Sequence, residues 1–199
     1  MHVLVTADSL SGSWTYAREL VTGLVTRGVR VTLVSFGEIP LPDQVAWMDH
    51  LHGLDYRPTA FRLEWMQEAE EDFSDSSRFL IALVREVRPD VLHFNHFCYG
   101  SLPVDVPRVV MAQGDLVTWR QAVQDRSLAS RAQDISSPSA WYRRTVYEGL
   151  AAADAVVAPS AWMLDRISSS YVRPQRGEVI YPGRNPIFFN PYISKMSAC

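Results

Sequence analysis

Three short stretches of this chain combine polar or small residues with positions where a ligand could reach them. Gly12 and Ser13 stand just ahead of a helical pattern, and the free N–H groups and positive dipole of a helix N-terminus favour phosphate or another anion. A glycine that only makes the turn and a serine that only caps the helix would look the same. Asn95, His96 and Tyr99 follow the apolar run Val91–Phe94, at the end of a strand where polar groups can face a cleft. Gln113 and Asp115 follow Val109–Met111 in the same way; Asp115 could orient a hydroxyl or act as a base, or cap the helix entering at Leu116. Trp14 and Trp119 offer flat apolar faces suited to stacking on a sugar ring, or to ordinary packing. His93, His96 and Cys98 raise the possibility of a metal or a thiol nucleophile. Alternation along a strand sends His93 and His96 to opposite faces and nothing marks Cys98 as activated, so no metal site is expected.

These residues need a scaffold, and the hydrophobic pattern supplies one. Val3-Leu4-Val5 reads as a buried strand ending in the polar turn Asp8–Ser13. Ala17, Leu20, Val21, Leu24 and Val25 then share one helical face from about Trp14 to Arg27, and Gly28 sits where a left-handed cap belongs. Val29–Phe36 is the next strand, which makes a right-handed strand–helix–strand unit. Gly37–Asp72, broken by Pro40, Pro42 and Pro58, reads as a long loop with one short strand. Helix resumes from Ser74 until Pro89. Strands follow at Val91–Asn95, Val109–Met111, Ala155–Ala158 and Glu178–Tyr181, with helices over Ala140–Ala153 and after Ser160, an expected N-cap. Strands alternating with helices predict an α/β, doubly wound, mostly parallel, Rossmann-like sheet over residues 1–181, followed by a linker-like tail from 182 to 199.

Bulk properties narrow the function. A chain of 199 residues with 47% hydrophobic and 21% charged content is of the size for one domain. A net charge of −3 argues against a nucleic-acid partner, which normally needs a clustered basic face, so none is expected. No apolar run is long enough to span a membrane, and no leader pattern precedes Val3, which predicts a cytoplasmic protein. The two cysteines, Cys98 and Cys199, form no disulfide framework. A nicotinamide cofactor would use Glu38 at the end of the second strand, but the G-x-G-x-x-G loop is absent, since Gly12 stands alone. No Walker loop occurs.

Four stretches carry a resemblance to a known family: Ser11–Leu20, Pro89–His96, Ala153–Ser160, and Val179–Asn185 with Phe189-Asn190-Pro191. They resemble the N-terminal domain of family 4 glycosyltransferases of the GT-B architecture, in which two Rossmann-like domains face each other across a cleft. The resemblance implies retaining transfer of a sugar from a nucleotide sugar, a co-substrate, with no further cofactor. It implies that the acceptor binds on this half and the donor on a second half. Gly12 and Ser13 match the loop that approaches the donor phosphates; His96 matches a polar position on the acceptor side. The chain departs from the family pattern at Ser11, where a glycine is usual, at Gln113, where a histidine is usual, at Pro182, where an asparagine is usual, and at Asn185, where an aspartate is usual. The expected site is Gln113 and Asp115 as catalytic groups, with Gly12, Ser13, Trp14, Asn95, His96, Tyr99 and Trp119 binding substrates. Expected partners are a sugar or sugar-bearing acceptor, a separate donor-domain chain or a second copy, and a membrane surface for a lipid-linked acceptor. The alternatives are a non-catalytic binding or interaction domain of the same fold and, more remotely, a nicotinamide-dependent oxidoreductase.

Overall fold

The computed structural model describes residues 1–124, 139–184 and 186. They form one seven-stranded sheet in the order β3-β2-β1-β4-β5-β6-β7, parallel throughout. The strands are β1 (His2–Asp8), β2 (Arg30–Phe36), β3 (Leu54–Pro58), β4 (Val91–Phe94), β5 (Arg108–Met111), β6 (Ala155–Ala158) and β7 (Gly177–Val179). The helices are α1 (Gly12–Val25), α2 (Pro42–Val45), α3 (Ala69–Val87), α4 (Leu116–Gln124), α5 (Ala140–Ala152) and α6 (Ala161–Ser170). Short 3-10 turns cover Ala46–Met48 and Phe97–Ser101. The doubly wound α/β reading therefore holds, and its qualifier narrows from mostly parallel to entirely parallel. Asn185 and the residues from 187 onward, which include Phe189-Asn190-Pro191, most of the expected linker and Cys199, lie outside the described residues.

Local chemistry sets the element ends. Ser11, rather than Ser13, caps α1: its hydroxyl accepts the Ser13 N–H at 3.1 Å, so the helix begins two residues before the expected Trp14. Gly28 ends the helix with φ +77°, a left-handed conformation that side chains with a Cβ resist. α3 starts five residues ahead of the expected Ser74. Its first turn holds Glu70, Glu71 and Asp72, whose charges suit the positive end of the helix dipole, whereas the apolar periodicity begins only further along. In the Gly37–Asp72 stretch the one short strand is β3, at the sheet edge, where Pro58 can close it without leaving a ladder hydrogen bond unmade.

Alternation along the strands divides the core. Val3, Val5 and Ala7 of β1 pack with Val31 and Leu33 beneath α1, while Leu4 faces the other side with Val34, Phe36, Leu92 and Phe94, under α3 and α5. On that second side α5 meets the Phe97–Ser101 turn backbone to backbone, at Gly149 and Gly100.

Candidate active-site cleft

Successive crossovers diverge between β1 and β4, so the C-terminal ends of these two strands flank the crevice where open α/β sheets bind ligands. A cavity of about 930 Å³ opens there. Asp8 ends β1 at its floor, and Ser11, Gly12 and Ser13 bring the start of α1 to its edge. Asn95 and His96 arrive from β4; Gln113, Gly114 and Asp115 come from β5. The loop holding Glu64, Trp65, Met66 and Gln67 also lines it, as do Leu116, Trp119 and Tyr142.

Thr6 organises the β4 end. Its buried hydroxyl accepts the Asn95 N–H at 3.1 Å, and Asn95 Nδ2 donates to the Thr6 carbonyl at 2.6 Å. Among the described residues the hydroxyl proton has one acceptor within reach, His96 Nδ1 at 2.9 Å, and that bond assigns the ring proton to His96 Nε2. Nε2 has no hydrogen-bond partner among the described residues. Burial pushes the His96 pKa down to about 4, against an upward pull from Asp8, so the imidazole is neutral at pH 7. Gln113 Nε2 donates to Asn95 Oδ1 at 3.1 Å, linking the β4 and β5 ends.

Two acids in the wall are bound into the fold. Glu64 accepts the backbone N–H groups of Phe97 and Cys98 at 3.0 and 2.7 Å, holding the start of the 3-10 turn. Burial raises its pKa, and those N–H groups oppose the shift. Asp115 caps α4, taking the Val117 N–H at 2.8 Å, the Thr118 hydroxyl at 2.5 Å and the Tyr171 hydroxyl at 2.7 Å. Asp8 differs: Oδ1 accepts the Leu10 N–H at 2.7 Å, and Oδ2 carries no hydrogen bond among the described residues.

The cavity thus brings together Gly12, Ser13, Asn95, His96, Gln113, Asp115 and Trp119. Two expected binding residues lie elsewhere. Trp14 faces the other side of the sheet, its ring centroid 6.3 Å from that of Trp47 and 6.4 Å from that of Tyr56, because α1 turns this side chain into its own packing face. Tyr99 is buried under the 3-10 turn, donating to Ser76 Oγ at 2.9 Å and stacking on Phe73. Asp115 reaches the cavity, and its oxygens accept the hydrogen bonds that cap α4. His93 lies on the α1 side against Tyr16, with ring centroids 6.0 Å apart. Cys98 is buried, and burial together with Glu64 holds its thiol protonated. Among the described residues no group of three or more His, Cys, Asp and Glu is arranged to hold a metal ion.

The sequence reading missed Asp8, Glu64, Trp65, Met66 and Tyr142. Glu64 had one local signal, a lone acid between Leu63 and Trp65.

The model of Glycosyltransferase Family 4 matches residues 10–187, which is most of the chain and all of the cleft apart from Asp8. The chain belongs to this family. Solved structures with the same fold include sucrose-phosphate synthase from Thermosynechococcus elongatus, 13% identical with a TM-score of 0.64, over 93% of this chain and 49% of that one. Arabidopsis thaliana UGT89C1 complexed with UDP is 15% identical with a TM-score of 0.59, over 92% and 52%. A UGT transferase from Siraitia grosvenorii in complex with UDP is 14% identical with a TM-score of 0.54, over 92% and 50%. At these identities the likeness is one of fold, that of a GT-B glycosyltransferase half. The chain spans about half the length of these structures. Among curated protein sequences none matches significantly. Among the described residues no helix is long and apolar enough to cross a membrane.

Proposed function

We propose that this chain is the acceptor-binding, N-terminal half of a retaining glycosyltransferase that takes its sugar from a nucleotide sugar. The observation that carries the reading is the cleft at the β1/β4 divergence, lined from the C-terminal ends of β1, β4 and β5 of one sheet and by the start of α1. Asn95, His96 and Trp119 hold the acceptor, while Gly12 and Ser13 at the start of α1 close on the donor diphosphate. Stabilising a leaving diphosphate takes donors from both sides of the cleft, so the chain works only with a donor-binding half, on a separate chain or a further domain. UDP in two of the similar structures supports a uridine nucleotide as the first donor to try.

The test is ligand-observed NMR on the purified chain with a panel of nucleotide sugars and nucleoside diphosphates, followed over hours and repeated with a donor-binding half supplied. Transfer only in the second arm is the expected result. Turnover by the chain alone would overturn the half-enzyme reading, and no transfer in either arm would overturn the transferase.

A second reading, a binding domain of the same fold without catalysis, is favoured by Gln113. Its amide donates one N–H to Asn95 and cannot carry the positive charge of the family's usual histidine. Acceptor binding without transfer, with the donor half present, is its expected outcome.

A further inference from the structure

We infer that the cleft selects an acceptor bearing a protonated amine on a flat, largely apolar ring, with Asp8 meeting the amine, His96 a neighbouring hydroxyl, and Trp65 and Trp119 the ring faces. The inference rests on reading this cavity as the acceptor site.

Charge is one-sided there. Asp8, Glu64 and Asp115 line the cavity, and no arginine or lysine does among the described residues. The neutral His96 adds no compensating cation. Carboxyl groups in a concave, partly apolar site draw a cation in and repel a carboxylate on the acceptor, while the free N–H groups at the start of α1, on the cavity edge, favour the donor phosphates. Glu64 and Asp115 are already hydrogen-bonded to the fold, which leaves Asp8 Oδ2 as the acid oxygen open to a ligand.

Two further features point to the rest of the molecule. The indoles of Trp65 and Trp119 are 45% and 46% exposed although they line a cavity, and an indole face attracts both a flat ring and an adjacent cation. His96 is 3% exposed and lines the same cavity, yet its Nε2 has no hydrogen-bond partner among the described residues. A buried unmade donor is costly unless something fills it, and a hydroxyl oxygen would do so. A cation beside this N–H would be repelled, so the amine belongs on Asp8 and the hydroxyl on His96.

Tyramine, tyrosol and 4-hydroxyphenylacetate share one phenol frame and differ in carrying an ammonium, a neutral hydroxyl or a carboxylate. Titrated into the full chain at low ionic strength with no donor present, and read by ligand-observed NMR, tyramine should bind about tenfold more tightly than the acid, with tyrosol between them. Added salt should weaken tyramine and leave tyrosol unchanged. Asp8→Asn keeps an acceptor for the Leu10 N–H and should collapse the amine preference to about twofold. If that variant fails to fold, the salt dependence of the native chain decides. Equal or tighter binding of the acid, no binding of tyramine, or a preference unchanged in Asp8→Asn overturns the inference. Amine-selective binding without transfer when a donor half is supplied would sink the transferase reading alone. Efficient transfer to neutral and acidic acceptors, without amine preference, would sink this inference alone.

Discussion

Gly12 and Gly114 line the cleft, and a Cβ built on either meets, among the described residues and apart from its own neighbours along the chain, no atom within 4 Å. Neither has the positive φ that would demand glycine. The fold gives no reason for the missing side chains, whereas a ligand approaching the backbone does. Gly12→Val should therefore leave the melting temperature within about 2 °C of the parent. It should lower the transfer rate, with a donor half supplied, by about a hundredfold, because displacing the donor by a methyl group's width spoils its alignment. A drop in melting temperature would make Gly12 a structural residue, and an unchanged rate would remove the donor phosphates from the α1 terminus. The legibility of the site follows the same division. Gly12, Asn95, His96 and Gln113 could be named from sequence because they sit at strand ends, where topology alone brings them to a cleft. Glu64 and Trp65 could not, since their loop has no periodicity. It is placed by long-range ties: the Arg62 guanidinium bonds Glu71 and Asp72 of α3, and Leu63 is fully buried beside it.

Among the elements, α5 shows packing overriding helix propensity. Gly149 lies inside this helix, where replacement by alanine would ordinarily stabilise by about 1 kcal/mol. Here the added Cβ would stand 1.7 Å from the Phe97 carbonyl oxygen, and a Cβ on Gly100 would stand 2.3 Å from the Gly149 carbonyl oxygen. Backbone meets backbone, so no side chain can swing aside. Gly149→Ala should cost about 3 kcal/mol, read as a lower urea midpoint with little change in slope; a more stable variant would mean that the helix does not touch the turn. The same displacement reaches the cleft, because α5 also carries Tyr142, whose hydroxyl accepts the Leu116 N–H at 3.1 Å. Neither glycine could be singled out beforehand. Hydrophobic periodicity located α5 to within a residue and β6 over its full length, because each buries its own apolar face. The close approach of α5 to the turn depends on two glycines about fifty positions apart, which no local pattern connects.

At the scale of the whole molecule, β4 and the residues just past its end carry a neutral imidazole towards each side of the sheet. His93 packs on Tyr16 of α1 and His96 lies against Phe36 and Tyr99, and burial lowers the pKa of each to about 4 from an ordinary 6.5. Between these values the unfolded chain binds the protons and the folded chain does not, so stability rises with pH across the window. The contribution is fully present above pH 6.5 and is lost as pH falls towards 4, at up to about 1.4 kcal/mol per pH unit for each imidazole. Glu64 works in the opposite sense, since burial raises its pKa and so favours the folded state at low pH, which offsets part of that slope. Urea midpoints from pH 4.5 to 7.5 should climb steeply and then level. His93→Gln, which keeps a polar partner for the Tyr16 hydroxyl, should remove one proton's share of that slope. A flat profile would mean that water reaches both rings. Because His93 in β4 and His96 just past its end join the two cores of one sheet, their slopes should add within a single transition. Two separate transitions, only one of them altered by His93→Gln, would show that the α1 side and the cleft side of the sheet unfold independently.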